Sequence, residues 1–105
     1  MQPTEPTILI VGLGKTGYSS VSYFVELGFV VTAVDSREAP PFLEQVQTEF
    51  PQVEIQCGPF QESLFKQFAQ VLLSPGVPFD DVAVQSAVAN GADVFGDVEL
   101  FATAD

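Results

Sequence analysis

From Thr7 onward the chain alternates between unbroken aliphatic runs and segments in which apolar residues recur every three or four positions. Thr7 to Val11 (TILIV) is uninterrupted and ends at a glycine, the pattern of a strand buried on both faces of a parallel sheet. A glycine-rich turn, Gly12 to Gly17, follows. Val21, Phe24, Val25 and Gly28 then fall at helical spacing, the last where a glycine stops a helix. Phe29 to Val34 is a second aliphatic, β-branched run, ending at Asp35. Pro40-Pro41 opens a helical stretch to about Phe50, because proline fits a first helical turn, and Pro51 stops it.

The pattern continues more weakly. Val53 to Cys57 alternates and predicts a third strand; Glu62 to Phe68 carries Leu64, Phe65 and Phe68 at helical spacing; Ala69 to Leu73 predicts a fourth strand, cut off by Ser74-Pro75-Gly76. Asp80 or Asp81 can cap a helix running to Asn90-Gly91. Asp93 to Phe95 predicts a fifth strand, and Gly96-Asp97 caps a last apolar turn, VELF. Five strands alternating with helices predict one α/β domain over 1–105: an open parallel sheet in the order 3-2-1-4-5, with helices on both faces and right-handed crossovers.

Gly12-Leu13-Gly14-Lys15-Thr16-Gly17 fits G-x-G-x-x-G between a predicted strand and a predicted helix. In that setting the first glycine permits the tight turn, the second lets the backbone approach a phosphate, and the third lets helix and strand pack closely. The same glycines could serve only a compact turn. Gly14-Lys15-Thr16 also reads as the tail of a P-loop, but that motif needs a glycine five positions earlier, where Leu9 stands. Asp35 ends the second strand 18 residues beyond Gly17, near the spacing at which nucleotide-binding units place a carboxylate for ribose hydroxyls. An Asp capping the next turn fits equally well. Ser74-Pro75-Gly76 would lie beside the first loop across the switch point, as a crevice wall or as a plain turn.

Composition narrows the chemistry. The 105 residues carry 14 Asp+Glu against 3 Lys+Arg, a formal net charge of −11. Such a chain repels nucleic acid and anionic membrane surfaces. It has no His and a single Cys, so the commonest general base and the commonest metal ligands are missing, and no catalytic or metal-binding residue is expected. Two of the three cations, Lys15 and Arg37, flank the loops at the carboxyl ends of the first two strands; Lys66 reads as a solvated residue on a helix face. Cys57 reads as a small buried hydrophobe and the phenylalanines as core. No apolar run reaches the ~18 residues of a membrane span, and the first residues, MQPTEPT, lack the order of a signal peptide, so a cytoplasmic location is expected.

ILIVGLGKTGYS, VDSREAPP, LLSPGVP and GDVELF, in this order and spacing, resemble the N-terminal domain of the bacterial Mur ligases, from about Thr7 to Phe101. The resemblance implies a Rossmann-like fold that binds no nicotinamide and instead holds the UDP part of a muramoyl substrate. Leu13, Lys15, Thr16 and Gly17 would then approach the diphosphate, with Gly12 and Gly14 shaping the loop. Asp35, Ser36 and Arg37 would hold the uracil, and Ser74, Pro75 and Gly76 would line the crevice. The branch of the family it resembles joins D-glutamate to UDP-N-acetylmuramoyl-L-alanine in peptidoglycan synthesis, on which the cell wall, cell shape and division depend. ATP and magnesium, a central ATPase domain and a C-terminal amino-acid domain would complete that enzyme. The resemblance therefore implies an N-terminal fragment that is inactive alone.

Two other classes fit parts of the pattern. The glycine fingerprint and Asp35 suit an NAD(H)-binding module of an oxidoreductase or redox sensor. A non-binding α/β interaction module, kept soluble by its charge, would need none of these residues.

Overall fold

A computed structural model of the chain describes residues 6–96. The strands are β1 (Thr7–Val11), β2 (Val30–Asp35), β3 (Glu54–Cys57), β4 (Gln70–Leu73) and β5 (Asp93–Gly96). They alternate with the helices α1 (Lys15–Glu26), α2 (Leu43–Glu49), α3 (Glu62–Phe65) and α4 (Val82–Ala89). All neighbouring strands are parallel, in the order β3-β2-β1-β4-β5. The expected architecture is therefore the observed one.

The aliphatic run of β1 explains the layering. Successive side chains of a strand point to opposite faces, so Ile8 and Ile10 join Val21 and Phe24 of α1 and Val46 of α2 in one core. Leu9 and Val11 join Phe65 of α3 and Ala83, Val84 and Ala87 of α4 in the other. Residues Ile8 to Val11 are 0% exposed, and each such side chain contributes roughly 2 kcal/mol by leaving water. On the first face the Tyr18 ring stacks on Phe42 at 5.3 Å between centroids, and its hydroxyl donates to Glu49, which ties α2 to α1.

Several element ends differ from the sequence reading. The backbone of Pro40 accepts from Leu43 N at 3.1 Å, so the two prolines form a turn and α2 begins only at Leu43. Helix α3 is a single turn, and Phe68 lies beyond it, packed against the second core. Asp81, rather than Asp80, caps α4, its Oδ1 accepting from Ala83 N at 2.9 Å. Lys66 is exposed at the end of α3. Cys57 is exposed, not buried, because it is the last residue of β3, an outermost strand, beyond the partly buried Ile55 that shares its face. Phe79 is likewise 55% exposed instead of forming core, since it sits in the loop before α4. Gly96 ends β5; the expected apolar turn that follows it lies outside the described residues.

Candidate functional site

Three loops meet at the carboxyl ends of the central strands: those after β1, β2 and β4. Gly12 takes φ +102°, and a Cβ there would stand 2.9 Å from the Ser74 Cβ. Gly17 packs the first turn of α1 on the strand so closely that a Cβ would lie 1.8 Å from the Gly12 carbonyl oxygen. Both glycines are thus required by the fold. Gly14 is different: its φ is −86° and a Cβ would meet nothing within 4 Å. The absence of a side chain at Gly14 serves no internal packing and leaves the backbone open to an approaching group.

Gly14 begins α1 without any side-chain cap, and no acidic residue stands in the first turn. The first amides of the helix, Lys15 to Gly17, therefore keep the donor capacity and partial positive charge of a helix N terminus, where an anion is favoured. Ser74 fixes this loop from the side. Its amide donates to the Val11 carbonyl at 3.0 Å and its hydroxyl to the Gly12 carbonyl at 3.2 Å.

Asp35 braces the other side. It is 2% exposed, and both carboxylate oxygens are occupied. Oδ2 accepts from the Leu13 amide at 2.7 Å and from Arg37 Nη2 at 2.7 Å, while Oδ1 accepts from the Arg37 amide at 2.8 Å and from Arg37 Nε at 2.9 Å. Burial alone would push this carboxyl up. The hydrogen bonds from the guanidinium, the Leu13 amide and the Arg37 amide, with the nearby positive charge, together outweigh it and hold the carboxyl below its ordinary value. Arg37 is raised in return, chiefly by its hydrogen bond to Asp35. The two-pronged pairing holds the guanidinium plane in place while 55% of the Arg37 side chain stays exposed.

Gly12, Gly14, Lys15, Thr16, Asp35, Ser36, Arg37, Ser74, Pro75 and Gly76 line one cavity of about 510 Å³. Leu13 and Gly17 do not line it. The Leu13 side chain is fully buried and its amide is engaged by Asp35, so its part is to anchor the loop. Asp35 likewise ties two loops together, and by accepting from the Arg37 amide two residues on it also caps the turn after β2. Phe60 and Val77 also line the cavity and were not anticipated. The signal for Phe60 was there: Gly58-Pro59 follows β3 and opens a loop at the same edge of the sheet. Among the described residues no group of three or more His, Cys, Asp or Glu is placed to hold a metal ion. No helix among the described residues is long and apolar enough to cross a membrane.

Comparison with known proteins agrees with this fold. The family model of the MurD-like N-terminal domain of Mur ligases matches residues 6–96. A UDP-N-acetylmuramoylalanine--D-glutamate ligase from Methylobacillus flagellatus is 41% identical over 104 residues, which are 99% of this chain and 23% of that protein. The protein of the same name from Marinobacter nauticus is 43% identical over 96 residues, 91% of this chain and 22% of its own. The chain thus spans less than a quarter of these relatives. A pseudomurein peptide ligase type C from Methanothermus fervidus superposes with a TM-score of 0.74 at 17% identity, over 91% of this chain and 20% of that one, which shows a shared fold.

Proposed function

This chain belongs to the Mur ligase family, as its MurD-like N-terminal domain, and from that premise we propose that it binds the uridine diphosphate part of UDP-N-acetylmuramoyl-L-alanine. One observation carries the proposal. The cavity gathers the uncapped start of α1 with Lys15 and Arg37, two of only three cations in a chain of net charge −11. Elsewhere that charge repels an anion; here the helix end, Lys15 and Arg37 favour one. The diphosphate rests on the amides of Lys15 and Thr16, where bare Gly14 gives it room. Ser36, Arg37 and Gly76 surround the uracil, with Ser74 and Pro75 completing the wall.

Asp35 argues against the nicotinamide dinucleotide alternative. A carboxylate that holds a ribose diol needs acceptor sites to spare, and Asp35 already accepts four hydrogen bonds from Leu13 and Arg37. Here it aims Arg37 and anchors the loop.

The proposed full-length enzyme is a cytoplasmic ligase of peptidoglycan synthesis. In it ATP, its phosphate charge neutralised by magnesium, would phosphorylate the muramoyl-alanine carboxylate with release of ADP, and the D-glutamate amine would displace the phosphate. The chain described here contributes binding and orientation of the nucleotide end. Isothermal titration with UDP and with UDP-N-acetylmuramoyl-L-alanine tests the assignment, with NADH as competitor. Saturable binding of both uridine ligands, unaffected by NADH, is expected. Silence at millimolar ligand, or displacement of UDP by low NADH, would overturn it.

A further inference from the structure

The crevice does not stop at the nucleotide cavity. Ser36, Phe60, Gly76 and Val77 are a shared wall, and on their far side a second lobe of about 410 Å³ extends to the start of α4. Its size suits a small ligand. Its character differs from the first lobe. Phe60, Val77, Pro78 and Val82 give it apolar walls, and among the described residues Glu62 and Asp81 are its only ionisable groups. None of the chain's three cations lines it.

Each carboxylate is held by one oxygen and keeps the other. Asp81 Oδ1 accepts from the Ala83 amide at 2.9 Å, and Glu62 Oε1 accepts from the Ser86 hydroxyl at 2.9 Å. Asp81, as the cap of α4, also offsets the positive end of that helix, which would otherwise draw an anion. Charge complementarity therefore selects the occupant of this lobe. We propose that it is a second binding site, for a small organic cation with an aromatic or branched aliphatic body. The body lies against Phe60 and Val82, and the ammonium or amidinium faces Glu62 and Asp81. An anion in the nucleotide lobe and a cation in this one are compatible neighbours.

Backbone amide NMR of the 105-residue chain tests this, with benzamidine, benzyl alcohol and benzoate as cationic, neutral and anionic probes of one shape. Benzamidine at low millimolar concentration should shift the Glu62, Val82 and Ala83 signals, with or without saturating UDP, and benzoate should not. Glu62→Gln should weaken benzamidine about two- to five-fold, the value of one exposed ion pair, and leave UDP affinity unchanged. Val82→Arg, at a residue 68% exposed, should abolish benzamidine binding without altering the melting temperature. Equal shifts from benzoate or benzyl alcohol, displacement of benzamidine by UDP, or no shifts at all would overturn the second site. Loss of UDP binding with the benzamidine response intact would overturn only the nucleotide assignment above.

Discussion

The Leu13 amide donates to Asp35 Oδ2 at 2.7 Å across 22 positions of chain, so the glycine loop and the end of β2 are joined through a single buried carboxylate. Its carboxyl is held below the ordinary value of 3.8. The unfolded state therefore binds a proton more readily. That contribution to stability is complete above about pH 5 and is lost as pH falls through the folded-state value. Asp35→Asn should abolish this acid-dependent loss and cost about 1–3 kcal/mol at neutral pH, as the buried amides of Leu13 and Arg37 lose a charged acceptor. Urea melts between pH 2.5 and 7 check both.

Removing the partner tests the same brace from the other side. In Arg37→Ala the Asp35 carboxyl should titrate higher than in the parent chain, since burial, the largest single influence on it, loses its main counterweight. UDP affinity should fall at least about tenfold, the worth of a charge-assisted hydrogen bond. Carboxyl NMR titration and calorimetry read the two effects separately.

The glycines of the loop should divide by function. Gly14→Ala meets no neighbour within 4 Å and should leave stability within about 1 kcal/mol, yet reduce UDP affinity by about tenfold or more by placing a methyl where the diphosphate approaches. Gly17→Ala must move backbone to relieve a 1.8 Å approach and should cost about 2–3 kcal/mol. Thermal melts paired with titrations would show the two variants failing in opposite ways.

Val11→Asp should be the most damaging substitution. Val11 is fully buried in the second core, and an unpaired carboxylate there costs at least about 4 kcal/mol, much of the stability of an ordinary domain. Circular dichroism at 25 °C should show a largely unfolded chain.

What the sequence disclosed tracks how local each signal is. The aliphatic runs of β1 and β2 end in Gly12 and Asp35, so their type and position need nothing beyond the run itself, and the parallel pairing follows from alternation with helices. The short elements are less legible. Helix α2 starts two residues past Pro41 because the Pro40 carbonyl is taken by a turn, and α3 ends before Phe68 although Phe68 keeps the helical spacing. Cys57 misleads because an alternating strand does not say whether it lies at the centre of a sheet or at its rim. Within the site, the glycine fingerprint located the cavity. The spacing of Asp35 showed that a carboxylate belongs there, but only the fold shows that Leu13 and Arg37 occupy it. Phe60 is harder to find because its signal, Gly58-Pro59 after β3, reads as an ordinary turn and lies far along the chain from the glycine fingerprint.

The amides of Gly12 and Ser74 donate to Val34 and Val11 respectively, so the three main loops of the cavity are extensions of three adjacent strands in the middle of the sheet, Phe60 alone reaching in from the loop after β3. A bound nucleotide would consequently act as a rivet across β2, β1 and β4. The free energy of binding would reach those strands and not the rims. Amide exchange would slow in the centre, while β3 and β5 would go on opening at the rate of the empty protein.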